Sequence, residues 1–106
     1  MDKDYFIYLG FDGSNRIRVR VLAVNGELKD FLCQYEALID EVWIPIVRYD
    51  CAHGQSFHRD VMLPNGDKEK QFVAMDSLKT ALDYAVQDLK FRWAWYKERF
   101  LSQRRK

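Results

Sequence analysis

The chain has 106 residues, a net charge of +1, an apolar fraction of 48% and an aromatic fraction of 15%. This length fits one domain, and this composition excludes a disordered chain because it supplies enough apolar surface for a core. No leader of charged and then apolar residues opens the chain, and no apolar run reaches the roughly 18 residues of a membrane span. With only two cysteines, Cys33 and Cys51, no disulfide framework is indicated. We therefore expect a cytoplasmic protein with reduced thiols and no contact with a membrane.

The charge is unevenly distributed along the chain. Residues 90–106 hold seven basic side chains and one acidic one, so this end carries about +6 and the rest about −5. One interpretation is that the basic end meets nucleic acid or an acidic partner. The other is a solvated helix end, where basic residues also suit the helix dipole.

The first half of the chain predicts antiparallel strands. Residues 5–11 are apolar and aromatic and end in a turn-like cluster, and residues 16–24 alternate between arginine and apolar side chains. Asn25 and Gly26 both tolerate positive φ and favour a type I′ hairpin turn. Residues 27–40 then return as a strand, although a helix over residues 30–38 competes with this assignment.

Further strands are predicted over residues 42–50, 57–63 and 68–73. Pro45 indicates an edge position or a bulge because it lacks an N–H group. Residues 64–67, Pro-Asn-Gly-Asp, have the composition of a tight turn.

The pattern then changes to the period of a helix, over residues 78–102, which Asp76 or Ser77 can cap. One apolar stripe follows 3–4 spacing and consists of Leu78, Leu82, Ala85, Leu89, Trp93, Tyr96 and Phe100. Tyr84, Phe91 and Trp95 form a second stripe on another side of the helix. This second stripe needs its own cover, either loops of the same chain, a second copy or another protein.

The predicted fold is thus α+β in a single domain. An antiparallel meander sheet of five or six strands, over about residues 4–73, packs against one long C-terminal helix. The helix covers about residues 77–102, and residues 103–106 form a basic tail.

The stretch of residues 48–60 contains the candidate catalytic groups. His58 and Asp60 share one strand face, as do Arg48 and Asp50, so pairing of the two strands brings the carboxylates near His58, with His53 at the rim. A histidine beside a carboxylate has a fixed tautomer and a raised pKa, as acid–base catalysis requires.

Arg48 or Arg59 could stabilise a phosphate or its transition state. The alternative is a structural network of arginine, aspartate and histidine at the hairpin.

A metal site is a further interpretation of the same stretch. Cys51, His53 and His58, together with Asp50 or Asp60, have the donor atoms that zinc prefers, but the spacing matches no standard zinc motif. Cys51 as a nucleophile beside His53 has still less support. We expect no bound metal.

Arg16, Arg18 and Arg20 form a second candidate binding site. They lie on one face of a predicted strand and repeat about every 7 Å, close to the phosphate spacing of a nucleic-acid strand. The alternative is cross-strand pairing with Asp30, Gln34 and Glu36.

The central stretch, Arg-Tyr-Asp-Cys-Ala-His-Gly followed by His-Arg-Asp, resembles a signature of small prokaryotic proteins. It is similar to the R-Y-D-N-A-H-G…H-R/K-H segment of TumE-like toxins of toxin–antitoxin modules, over about 13 residues. Its matching residues are Arg48, Asp50, His53, His58 and Arg59. The chain departs from the pattern at two positions, Cys51 in place of asparagine and Asp60 in place of a histidine. The resemblance implies an RNA-directed or translation-interfering toxin that an antitoxin protein neutralises.

These observations lead to two functional hypotheses. The first is a toxin-like RNA-binding protein that acts as a ribonuclease without a metal or other cofactor. His58 or His53 would be the acid–base group, and Asp50 or Asp60 would orient it. The second is a non-catalytic interaction module, in which Tyr84, Phe91 and Trp95 bind an antitoxin, another partner or a second copy. A ribonuclease requires its histidines and carboxylates to meet in an open pocket, whereas a module allows them to be buried.

Overall fold

The computed structural model describes residues 2–50 and 57–105. It has the predicted α+β architecture, a six-stranded antiparallel meander packed against one C-terminal helix. The strands follow each other in chain order across the sheet, so every connection joins neighbours. The elements are β1 Asp2–Tyr8, β2 Asn15–Val24, β3 Glu27–Ile39, β4 Val42–Asp50, β5 His58–Met62, β6 Lys68–Phe72 and α1 Leu78–Arg104.

Two of the hairpins have turns that require a left-handed backbone. Asn25 and Gly26 have φ of 53° and 77°, which confirms the predicted turn between β2 and β3. Asp40 and Glu41 have φ of 53° and 65°, so the same type of two-residue connection joins β3 to β4. Both turns match the twist of the strands that they connect, and this fixes the register of the long central hairpins.

Pro45 lies at a bulge, in the part of β4 that does not pair with β5. β4 lies between β3 and β5, and Tyr35 pairs with Val47 whereas Glu36 pairs with Pro45. Ile46 is therefore an extra residue, and its side chain is fully buried. The structure therefore has the bulge that the proline indicated, and the side of Pro45 towards β5 is also unpaired, so neither strand requires the missing N–H group.

The first strand differs from the sequence prediction by about three residues. β1 begins at Asp2 and ends at Tyr8, because Leu9 N–H already donates to the carbonyl of Asn15 as the chain turns towards β2. Its charged first half looks like a loop in sequence, but β1 is an edge strand, where charged side chains are common. The helix likewise continues two residues beyond the predicted end, to Arg104.

The core lies between one face of the sheet and α1. Its fully buried side chains come from β2, β3, β4 and α1, and the largest are Tyr35, Tyr49, Ile17, Ile46 and Leu89. Ser77 caps the helix, since its hydroxyl accepts a hydrogen bond from Thr80 N–H at 3.1 Å. The other face of the sheet has no helix against it in the described residues, and we call it the open face. In the same residues, no helix has the length and apolar character needed to cross a membrane.

Candidate functional site

The predicted pairing of the two central strands is present. Arg48 lies opposite Asp60 and Asp50 lies opposite His58 in the β4–β5 register, and these four side chains point to the open face. Tyr49 and Arg59, which also lie opposite each other, point to the helix. His53 and Cys51 lie outside the described residues.

Two of the catalytic candidates, His58 and Asp60, are buried. His58 is 7% exposed and Asp60 is 3% exposed, and His58 Nε2 lies 3.7 Å from Asp60 Oδ2. Lys68 Nζ is 3.6 Å from the same carboxylate oxygen. The other oxygen, Asp60 Oδ1, is buried and has no hydrogen-bond partner among residues 2–50 and 57–105. A carboxylate in this position is costly unless it is paired, and the Lys68 ammonium group and the His58 ring are the groups that lie close to it.

Asp50 lines a different surface from Asp60. It borders a cavity of about 370 Å³ at the end of the sheet where β2 and β3 meet their turn, together with Asp2, Arg20 and Asp30. Asp30 also accepts a hydrogen bond from Phe31 N–H at 2.8 Å. The two candidate carboxylates therefore share a face of the sheet, but only Asp50 borders this cavity.

The two arginines of the central stretch lie on opposite faces of the sheet. Arg48 donates from Nε to Gln34 Oε1 at 2.7 Å on the open face. Arg59 donates to Tyr49, Tyr96 and Gln71 on the helix side. One phosphate group cannot contact both guanidinium groups, because the sheet separates them.

Polar side chains continue from Arg48 across the open face. Gln34 Nε2 donates a hydrogen bond to Glu36 Oε2 at 2.7 Å, and Glu36 Oε1 accepts one from Arg16 Nε at 2.7 Å. The Arg16 guanidinium lies between the rings of Phe6 and Trp43, at 4.1 Å and 3.7 Å from their centroids. Arg16 thus has the cross-strand carboxylate that the pairing alternative predicted, and it stacks between two aromatic rings besides.

The other arginines of β2 are also paired with an acid. Arg18 donates to Asp4 Oδ2 at 3.1 Å, and Arg20 Nε lies 3.9 Å from the same oxygen. Their partner comes from β1 and not from β3. The bond with Arg18 is the largest of the causes that hold the pKa of Asp4 below its usual value. An RNA phosphate would have to compete with these acids for all three arginines.

The basic residues of the helix end are paired in the same way. Arg99 donates to Glu69 of β6 at 2.7 Å, and Arg104 donates to Asp40 of the β3–β4 turn at 3.0 Å. Arg105 lies 3.6 Å from Glu98. The contacts of Arg99 and Arg104 connect the end of α1 to the sheet, and all three pairs offset part of the charge asymmetry that is visible in the sequence.

A cluster that the sequence analysis did not identify joins the helix to the sheet around Asp88. Its carboxylate accepts hydrogen bonds from the hydroxyls of Tyr49 at 2.5 Å and Tyr96 at 2.6 Å. Arg59 Nη1 and Arg92 Nη1 each lie 3.5 Å from it. The Asp88 side chain is 5% exposed, so two phenols and two guanidinium groups stabilise one buried negative charge.

The titrating groups of this cluster respond to burial and to Asp88. Burial, and after it the hydrogen bond to Asp88, raises the pKa of Tyr96 to about 12. The same causes raise the pKa of Tyr49. Burial lowers the pKa of Arg59, but its hydrogen bond to Tyr49 and nearby negative charge give a net rise. Both phenols therefore stay protonated and act as donors, which suits a structural role.

No metal centre is found in the described residues. In them, no group of three or more histidine, cysteine, aspartate or glutamate side chains is placed to hold an ion. Cys33 is buried beneath the helix, and burial raises the pKa of its thiol to about 12, so it is neither a ready ligand nor a ready nucleophile. The set of zinc ligands considered in the sequence analysis includes Cys51 and His53, which lie outside the described residues.

The second stripe of the helix is exposed. The exposed fraction is 40% for Tyr84, 82% for Phe91 and 53% for Trp95. Within the described residues the stripe has only marginal contacts, such as the edge of Tyr84 against Tyr49 and the Arg92 guanidinium 4.8 Å from the Trp95 ring centroid. An aromatic surface of this kind on the outside of a helix is typical of a site that binds another protein.

Comparisons with known proteins locate the chain in one family. No curated protein matches it significantly, and no solved structure does. A family model described as "Domain of unknown function (DUF7718)" matches residues 1–106. Since the match extends over every residue given, the chain belongs to the DUF7718 family.

Proposed function

We propose that this protein is a non-catalytic interaction module that binds a protein partner through the exposed stripe of α1. The observation that carries the proposal is the exposure of Phe91, 82%, between Tyr84 and Trp95 on the outer side of the helix. Exposed aromatic side chains cost free energy in water, and binding of a protein partner would remove that cost.

The geometry of the central strands supports the same proposal. His58 and Asp60 are buried and interact with each other and with Lys68, as a structural network on the sheet would require. Arg48, and the arginines of β2, interact with side chains of the same protein. These arginines therefore already have side-chain partners within the protein.

A matched pair of variants tests the proposal. Phe91→Ser removes an aromatic ring from the stripe, and Phe72→Ser removes a similarly exposed ring, 74%, from β6 at the edge of the sheet. We expect affinity-purified wild type and Phe72→Ser to retain the same partner or self-association, and Phe91→Ser to lose it by about tenfold or more. Equal retention by all three proteins would rule out the stripe as the binding surface.

A metal-independent ribonuclease is the second candidate function. It is favoured by the pairing that puts Asp50, His58 and Asp60 on one face, and by the unpartnered oxygen of Asp60. In this case the aromatic stripe would be the surface for an antitoxin protein. The test is induced expression in a bacterial host of wild type and of the His53→Ala/His58→Ala double variant. Growth arrest and RNA cleavage with wild type alone would support the ribonuclease. No growth arrest with wild type, when wild type and the double variant are both folded, would contradict it.

A further inference from the structure

We propose that copies of this chain associate head to tail, with β1 of one copy added antiparallel to β6 of the next in the register that pairs Asp2 with Lys70. These two strands are the opposite edges of the six-stranded sheet, so the contact extends one sheet into the next. The contact is separate from the aromatic stripe and adds a second surface to the proposed interaction module. The hydrogen-bonding groups and the charges of the two edges carry the proposal.

The main chain of β1 points outward at every second residue. Leu9 N–H donates to the carbonyl of Asn15 as the chain enters β2, and the register continues without a bulge to the start of β1. Because hydrogen-bonded and non-hydrogen-bonded pairs alternate in an antiparallel ladder, Asp2 and Asp4 fall in non-hydrogen-bonded pairs. Their N–H and C=O groups therefore face away from β2, at the exposed edge of the sheet.

The main chain of β6 points outward in the same way. Val73 N–H donates to the carbonyl of Phe57, and the alternation then places Lys68 and Lys70 in the non-hydrogen-bonded pairs of β5 and β6. The side chains of these two lysines lie on the open face, as do those of the two aspartates of β1. The two edges can therefore form an antiparallel ladder while the open faces of both copies stay on the same side.

The charges of the two edges match at three consecutive positions. Residues 2–4 are Asp-Lys-Asp, and residues 68–70 are Lys-Glu-Lys. In the antiparallel register that sets Asp2 opposite Lys70, an acid meets a base at all three positions. The pairs are Asp2 with Lys70, Lys3 with Glu69, and Asp4 with Lys68. A shift of the register by two residues in either direction leaves at most two pairs of opposite charge.

The same charges act against contact between identical edges. Two β6 edges that pair over their charged residues would set lysine against lysine, and two β1 edges would set acid against acid. Lysine on an edge strand ordinarily opposes the addition of another strand. Opposite an acidic edge it has the reverse effect, so the charges select β1 as the partner of β6.

The charged side chains of both edges are accessible to a second copy. Asp2, Lys3 and Lys70 are exposed, and within residues 2–50 and 57–105 none of them forms an ion pair. The other three have partners in their own chain, but their side chains are 42–52% exposed, and surface pairs of this kind contribute little. Since so short a ladder buries less area than a stable interface needs, we expect weak association that depends on concentration and on salt.

A head-to-tail contact leaves one edge of each kind open at the ends of the assembly, so association continues beyond a dimer. In sedimentation equilibrium at low salt, the weight-average mass of wild type should rise steadily with protein concentration, and added salt should lower it. A mass that levels off at two copies, or that stays at one chain throughout, would overturn the proposal.

Charge reversal at residues 2 and 70 tests the register in the same experiment. Asp2→Lys sets lysine against Lys70, and Lys70→Glu sets glutamate against Asp2, so we expect each variant to associate at least threefold more weakly than wild type. The double variant Asp2→Lys/Lys70→Glu should regain the wild-type behaviour, and so should an equal mixture of the two single variants, because opposite charges face each other again. Failure of either to regain it would contradict this register.

Glu27→Lys is the matched control, since it makes the same charge change as Asp2→Lys in the β2–β3 hairpin, away from both edges. It should associate like wild type, and circular dichroism should show that every variant is folded. Phe91→Ser should also leave the edge contact unchanged, because this residue lies on α1. Association that Phe91→Ser abolishes, and that reversal at residues 2 and 70 leaves intact, would overturn the edge contact and keep the stripe as the binding surface.

Discussion

At the scale of single residues, Asp88 is the group on which the contact between helix and sheet most depends. Replacing it by asparagine removes the charge that balances Arg59 and turns one acceptor of the tyrosine hydroxyls into a donor. Because this leaves a partly buried guanidinium group without its counter-ion, we expect Asp88→Asn to lower the free energy of unfolding by about 3 kcal/mol. Urea denaturation of the variant and of wild type measures this difference in the free energy of unfolding.

Glu98→Gln is the matched control for this prediction. Glu98 also lies on α1 and also pairs with an arginine, Arg105, but both side chains are 70% exposed. An exposed pair of this kind contributes little to the free energy of unfolding, so the urea midpoint of Glu98→Gln should stay close to that of wild type. If the two variants were equally stable, the Asp88 cluster would not hold the helix to the sheet.

The buried acids of the core predict a loss of stability in alkali. Burial raises the pKa of Cys33 from 9.0 to about 12, and burial together with the bond to Asp88 raises that of Tyr96 from 10.0 to about 12. Since the folded state holds these protons more tightly, their contribution is complete below about pH 9 and is lost as the pH rises towards 12. We expect the free energy of unfolding to fall across this range.

The Tyr96→Phe variant tests the cause of that slope. Phenylalanine cannot titrate, so between pH 10 and 12 its stability should fall less steeply than that of wild type, whatever its stability at neutral pH. Chemical denaturation at several pH values gives both slopes. Parallel slopes would show that Tyr96 does not contribute.

Sequence patterns located the histidine–aspartate pair but missed the cluster around Asp88, for a physical reason. His58 and Asp60 lie two residues apart on one strand, and strand geometry alone places them on one face. Asp88 meets Tyr49 across 39 residues of chain and Arg59 across 29. Only the packing of α1 on the sheet brings these groups together, so the local signals were an arginine four residues after Asp88 and a tyrosine eight residues after it.

At the scale of elements, the start of α1 has a single dominant cap. Ser77 accepts a hydrogen bond from Thr80 N–H and also bonds to the Thr80 hydroxyl at 2.9 Å. We expect Ser77→Ala to lower the free energy of unfolding by about 1 kcal/mol, since an N–H group of the first turn loses its partner. Ser102→Ala, near the exposed end of the same helix, should have almost no effect in the same denaturation experiment. Equal effects would mean that the cap is dispensable.

Elements with a clear period were predicted closely, and those at edges less so. β2, β3 and β4 match to within a residue or two because alternating side chains meet the core on one face and two-residue turns fix their ends. The predicted bounds of β1 were wrong by about three residues, because an exposed edge strand has no buried face that marks where it begins and ends. The same weakness left the end of α1 two residues short, since its last turn is set by charge pairs with the sheet.

At the scale of the whole molecule, the uneven charge of the sequence has an internal explanation. Arg99 and Arg104 join the basic end of α1 to acids of β6 and of the β3–β4 turn. The arginines of β2 likewise meet acids of β1 and β3. By contrast, the aromatic stripe on the outside of the helix is exposed to solvent. This distribution supports our proposal that the molecule binds a protein partner and not a polyanion.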